Sequence, residues 1–153
     1  MQELSQLEGP FAGVRFCLEA ALRAVPCLAG IAHVRDPIRR DLVVLHARGP
    51  RADTLLGMHN SEGDPLVARA IHAGKPIAVA YGSAPGAEAT TCARHAFFDP
   101  WGVIVVPVIQ GGQLLALLEM IDPISSSRSD DLAQSALAYV AERLGRFLVE
   151  QSP

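Results

Sequence analysis

Two stretches, Gly102–Ile109 and Gln113–Ile121, constrain the fold more than any other part of the chain. Both are dense in β-branched and aliphatic residues, and only Gln110-Gly111-Gly112 separates them. That spacing and turn composition describe a tight β-hairpin. The hydrophobicity runs on instead of alternating, so both faces of the pair must be covered and the pair belongs in the middle of a sheet. The rest of the chain has to supply the flanking strands and two covering layers.

The covering layers are legible at the two ends. Leu7, Phe11, Val14, Leu18, Ala21 and Val25 repeat at helical spacing, with Pro10 suited to the first turn and Pro26 closing the helix. Ala133, Leu137, Val140, Leu144 and Phe147 mark a second long helix, with Ser129 or Asp130 at its N-cap. Between them, Leu28–Arg35 and Asp41–Arg48 read as strands joined by an Asp-Pro turn. Gly49–Gly63 is polar, Gly-punctuated loop. Asp64 caps a helix that has Pro65 at N1 and Gly74 at its C-terminal cap, and a brief strand, Pro76–Ala80, follows. Tyr81–Pro100 reads as a long loop with a short helix over Thr90–Phe98, and an excursion of that length inside a domain is functional or mobile. The expected class is α+β, a central antiparallel sheet in one domain spanning residues 1–153, with its core over about residues 8–150.

Composition removes several function classes. The chain of 153 residues has a formal net charge of −3 and no basic stripe interleaved with aromatics, which excludes a nucleic-acid surface. No apolar run approaches the ~18 residues of a bilayer span, so no membrane insertion is expected, and the N-terminus lacks a basic segment followed by an apolar one. Three cysteines, Cys17, Cys27 and Cys92, form no CxxC pair and fit a reducing cytoplasm.

Several strings, in this order and spacing, resemble the GAF domain family. Asp64 to Ile77 resembles that family's helix followed by a Gly-Lys-Pro turn and strand. Val103 to Val108 resembles its strand ending in Val-Pro. Gly112 to Glu119 resembles the strand after it, with Ala116 where the family usually has Gly. Ser129 to Leu132 resembles the entry to the last helix, although Arg128 stands near the usual Phe. The resemblance implies a GAF-like sheet with the N- and C-terminal helices on one face and pocket helices and loops on the other. It also implies a bacterial regulatory domain that binds a ligand between a sheet face and the segment Tyr81–Trp101. The residues assigned to that site are Tyr81, Thr91, Cys92, His95, Phe98, Asp99 and Trp101. Phe97, Phe98 and Trp101 either stack on a heterocyclic ligand or plug a closed pocket.

Known chemistries of the family fit the residues poorly. The Asn-Lys, Phe and Asp-Glu constellation of its cyclic-nucleotide binders is absent, since Ser61 follows Asn60 and Pro100 follows Asp99. Cys92 and His95, three apart on a helix, would share a face, where His could hold the thiolate, a bilin could attach, or a metal could bind; the reading we favour is a small buried or half-buried Cys beside a surface His. Two ligands fall short of a zinc site. The family's free methionine-R-sulfoxide reductase needs a resolving thiol, and neither Cys17 nor Cys27 is placed to serve Cys92. His33 and His46 are near neighbours across the first hairpin without a carboxylate partner, a poor metal site. Glu119, the one charge inside an apolar strand, faces either a pocket or solvent, and we read it as facing solvent. No catalytic residue and no metal site are assigned, and nothing identifies a ligand or cofactor.

The resulting expectation is a cytoplasmic, non-enzymatic domain that senses a small molecule and transmits the signal through a homodimer. A degenerate-pocket scaffold for dimerisation or protein docking is the alternative, and a methionine-sulfoxide reductase-like enzyme is third. The two terminal helices carry the expected dimer interface, assigned to Phe11, Val14, Leu18, Leu137, Val140, Leu144 and Phe147.

Overall fold

A computed structural model describes residues 9–81, 93–96, 98–124 and 131–151. Along them run α1 (Gly9–Ala24), β1 (Cys27–Asp36), β2 (Asp41–Arg48), α2 (Ala52–Leu55), β3 (His59–Ser61), α3 (Pro65–Ala73), β4 (Ile77–Ala80), α4 (Ala93–Ala96), β5 (Gly102–Gln110), β6 (Gln113–Pro123) and α5 (Asp131–Gln151). The six strands form one antiparallel sheet in the order β3-β2-β1-β6-β5-β4. β6 and β5 lie inside it, as their continuous hydrophobicity requires. Gly111 and Gly112 turn between them at φ 58° and 79°, left-handed values that glycine adopts without steric cost.

The local signals produce their elements for the reasons the sequence implies. Asp64 Oδ1 accepts from the backbone N–H of Leu66 at 2.8 Å and of Val67 at 3.4 Å, and Gly74 closes α3 at φ 65°. The β1–β2 turn is held by Asp36 Oδ1, which accepts from Ile38 N at 3.0 Å and Arg39 N at 3.3 Å. The stretch expected as loop over Gly49–Gly63 instead contains α2 and β3. β3 is only His59-Asn60-Ser61 and is held by its pairing with β2, so no hydrophobic alternation marks it. The N-cap expected at Ser129 or Asp130 lies outside the described residues.

β6 supplies both cores. Its Ala116, Leu118 and Met120 face α1 and α5, where Val14, Leu18, Leu137 and Leu144 complete one cluster. Its Leu117 and Ile121 face the other way, into a cluster with Ile31, Leu42, Val105, Leu55 of α2 and Leu66 and Val67 of α3. The helical stripe assigned to a dimer interface is therefore occupied within the chain. Val14, Leu18, Leu137, Val140, Leu144 and Phe147 are 0–5% exposed, and Phe11 alone of that set is open, at 51%. The sheet takes the stripe first because each helix packs its most apolar face on the largest apolar surface available. What faces outward is Phe11, Leu132, Tyr139 and Val149.

α1 and α5 meet closely because Gly13 has no side chain. A Cβ there would come 2.1 Å from Phe147 Cε2, inside the buried ring. Overpacking of this kind costs about 1–3 kcal/mol. Gly13→Ala should lower the thermal midpoint by about 3–10 °C, and Phe147→Leu in the same chain should return part of the loss. An unchanged midpoint would mean the helices separate without cost.

Candidate functional site

The face of the sheet beneath α3 holds a buried ionic cluster that the surrounding apolar residues do not predict. Glu119 sits on β6 between Leu117 and Ile121 and opposite Ile31 of β1 and Val105 of β5. Alternation along a strand gives residues 117, 119 and 121 the same face, and that face is covered. Glu119 is 0% exposed. The solvent-facing reading of this residue is thereby corrected: it is a central-strand residue, and both faces of a central strand in this sheet are roofed.

Its charge is met from three directions. Arg94 of α4 donates through Nε to Oε1 at 2.6 Å and through Nη2 to Oε2 at 2.9 Å, a bidentate fork. His33 of β1 donates through Nε2 to Oε1 at 2.7 Å, and His95 of α4 donates through Nε2 to Oε2 at 2.8 Å. A carboxylate only accepts, so each Nε2 must carry the hydrogen. A further ring of contacts anchors these donors. Arg94 Nη1 donates to Asp64 Oδ2 at 3.1 Å, Tyr81 Oη lies 3.0 Å from His95 Nδ1, and Asn60 Nδ2 lies 3.5 Å from His33 Nδ1. Asp64 thereby caps α3 with one oxygen and holds Arg94 with the other.

Burial and charge act against each other here. Burial alone would push the Glu119 carboxyl up, but the Arg94 guanidinium and the imidazoles of His95 and His33 outweigh it and hold it well below the usual carboxylate range. Burial holds His33 below the usual imidazole value, and its carboxylate partner only partly opposes that. His33 is therefore neutral near pH 7, its Nδ1 free to accept from Asn60.

The residues assigned to a ligand site divide. Tyr81 and His95 belong to the cluster, and Phe98 is half-buried against the core on the same face. Asp99 and Trp101 are exposed, Trp101 at 52%, because the chain turns outward through Asp99 at φ 46° before β5 begins. Thr91 and Cys92 lie outside the described residues, and so does Phe97. The pairing of Cys92 with His95 is thus not described, but His95 is not a surface residue: it is 0% exposed, held between Glu119 and Tyr81 because α4 packs its side chain onto the covered sheet face. His33 is not a histidine without a carboxylate: its partner comes from β6, not from the hairpin, while the ring Nε2 of His46 is buried with no hydrogen-bond partner. Glu119, His33, Arg94, Asp64 and Asn60 are the site residues that sequence reasoning did not assign. Among the described residues no group of three or more His, Cys, Asp or Glu is arranged to hold a metal ion, and Arg94 occupies both Glu119 oxygens. Among them, too, no helix is long and apolar enough to cross a membrane.

The imidazole has a measurable consequence. Unfolded His33 titrates near 6.5, and the folded group titrates lower. As pH falls through about 6.5 the unfolded chain takes up a proton that the folded chain refuses, and stability drops by up to about 1.4 kcal/mol per pH unit for that one proton. His46, also held low by burial, adds in the same direction. Denaturant melts between pH 7 and 5 should show this loss, and His33→Gln, which keeps a donor for Glu119, should flatten it. An equal slope in the variant would place the titration elsewhere.

Comparison with known proteins places this geometry in a family. No curated protein matches the chain in sequence. The model of the GAF domain matches residues 7–148. Among solved structures, the GAF domain of a phosphoenolpyruvate-protein phosphotransferase from Coxiella burnetii is 17% identical, with a TM-score of 0.77 over 97% of this chain and 88% of that one. A GAF domain/HD domain protein from Geobacter sulfurreducens is 12% identical, with a TM-score of 0.75 over 94% and 95%. The free methionine-R-sulfoxide reductase of Neisseria meningitidis, solved with its substrate, is 16% identical, with a TM-score of 0.71 over 98% and 84%. At such identities the likeness is one of fold. The family match over nearly the whole chain, on a six-stranded sheet of this order, makes the chain a member of the GAF domain family.

Proposed function

We propose that this chain is a regulatory domain that senses a small molecule on the sheet face beneath α3 and α4. The observation that carries the reading is the cluster of Glu119, Arg94, His33 and His95, all 0–2% exposed in an otherwise apolar core. Stripping water from an Arg, a Glu and their partners costs several kcal/mol per ion, and well-packed hydrophobic residues would often be as stable. Buried, strongly shifted groups concentrate where a protein recognises something. Ligand occupancy would bias the position of α4, and α1 and α5 would pass that bias to a second copy through the outward residues Phe11, Leu132, Tyr139 and Val149. We take the chain as one domain working in the cytoplasm.

We also infer that it is not an enzyme. The same fold serves a reductase, so this rests on the two thiols among the described residues, Cys17 and Cys27. Burial pushes the thiols of Cys17 and Cys27 up to about 12, which leaves both protonated and unreactive at neutral pH. Cys17 packs between α1, α5 and the sheet, on the face away from the cluster.

One observation favours the second reading, a scaffold without a ligand. The two Glu119 oxygens already accept four hydrogen bonds from the protein. Native mass spectrometry of the purified chain, followed by thermal-shift screening of a metabolite set, separates the two. Sensing predicts a ligand whose affinity falls at least about tenfold, or ~1.4 kcal/mol, in Glu119→Gln. Tyr81→Phe should give a smaller loss, and Ile38→Ser at the exposed hairpin turn none. Equal affinity in all these chains would place binding elsewhere, and no ligand at all would leave the scaffold.

A further inference from the structure

We propose that a second copy of this chain docks on the end of the domain that carries the β1–β2 turn, the turn of each copy filling a groove of the other. The contact is independent of the sensing reading: no residue of the buried cluster takes part, nor do Leu132 and Tyr139 of α5. At the turn, Ile38 is 92% exposed, the most open large apolar side chain among the described residues. Single apolar residues on a surface are ordinary, but this one stands on a rigid mount. Asp36 Oδ1 accepts from the backbone N–H of Ile38 and Arg39, and Arg40 N donates to Asp36 O at 2.8 Å. The turn thus holds Ile38 outward before any partner arrives, which lowers the ordering cost of burying it.

Beside the turn lies a groove of about 310 Å³, lined by Pro37, Pro10 of α1, Val34 of β1, Leu114 and Leu115 of β6 and Leu148 of α5. Its apolar lining suits an aliphatic anchor. Ile38 does not fill the groove of its own chain, because the fixed turn points it into solvent. Knob and groove lie side by side on one surface, the self-complementary arrangement that a twofold contact requires. Charge matches in the same sense. Arg39 is 61% exposed, and Arg40 is exposed with no side-chain partner among the described residues. The other side of the groove is the end of α5, where Gln151 also lines it. There Glu150 is exposed and likewise unpartnered among the described residues, and the last turn of α5 holds no basic residue. The final carbonyls of a helix add partial negative charge. Arg35 also lines the groove, but Glu62 meets its charge. A basic turn on one copy therefore faces an acidic helix end on the other, and the twofold axis repeats the match.

The test is sedimentation of the full chain over a concentration series, alone and as variants. The chain should show a monomer–dimer equilibrium, and Ile38→Ser, which empties both grooves at once, should weaken the dimer at least about tenfold. Arg40→Glu and Glu150→Arg should each weaken it as well, since each sets like charges against one another. An equimolar mixture of those two variants should form a heterodimer, because both of its Arg–Glu contacts are opposite in sign again. A chain that stays monomeric at high micromolar concentration would overturn the proposal and leave the groove to a different partner. A dimer untouched by Ile38→Ser, or a mixture no tighter than its components, would overturn it too.

Discussion

Glu119 projects from the most enclosed strand of the sheet, and its charge must be met inside the protein. Arg94 meets it with two parallel hydrogen bonds, and His33 and His95 take the remaining lone pairs. This one constraint ties together segments far apart in sequence: β1, β6, α4 and, through Asp64, the start of α3. α4 is only four residues long and too short to be stable alone. Its place against the sheet depends on two side chains it contributes, Arg94 and His95, both hydrogen-bonded to Glu119.

The opposite face of the sheet is a closely packed apolar layer. α1 and α5 close over the sheet with Phe147 lying on Gly13, and Gln110 from the β5–β6 turn reaches Gly145 of α5. β6 belongs to both layers, giving Leu118 and Met120 to one core and Leu117, Glu119 and Ile121 to the other. A displacement of Glu119 is thus borne by a strand whose neighbouring residues are locked under the terminal helices. β6 thus joins the cluster at α4 to the core beneath α1 and α5.

The elements with strong local chemistry were legible from sequence. Asp64 and Gly74 bracket α3 as caps, and the glycines at 111 and 112 set the hairpin. The long apolar stripes locate α1 and α5. β3 was not legible, because three polar residues acquire strand geometry only from β2. The candidate site was half legible. Tyr81 and His95 lie in the segment where the family resemblance puts a ligand, but Arg94 reads as a surface residue until Glu119 is known to need it. Glu119 itself was within reach: continuous hydrophobicity implied a central strand, a central strand implies two covered faces, and a carboxylate there must be buried. His33 was missed because its partner is 86 positions away in sequence.

The cluster stands on the coupling between Arg94 and Glu119, and a double-mutant cycle measures it directly. Equilibrium unfolding of Arg94→Met, Glu119→Leu and the double variant gives the three free energies required. Each single change takes from a buried charge its bidentate partner and should cost about 3–5 kcal/mol. The double variant should cost less than the sum of the two by at least about 2 kcal/mol, because it removes both charges together. Single losses that simply add, within about 0.5 kcal/mol, would contradict the account and reduce the cluster to residues that share a location without depending on one another.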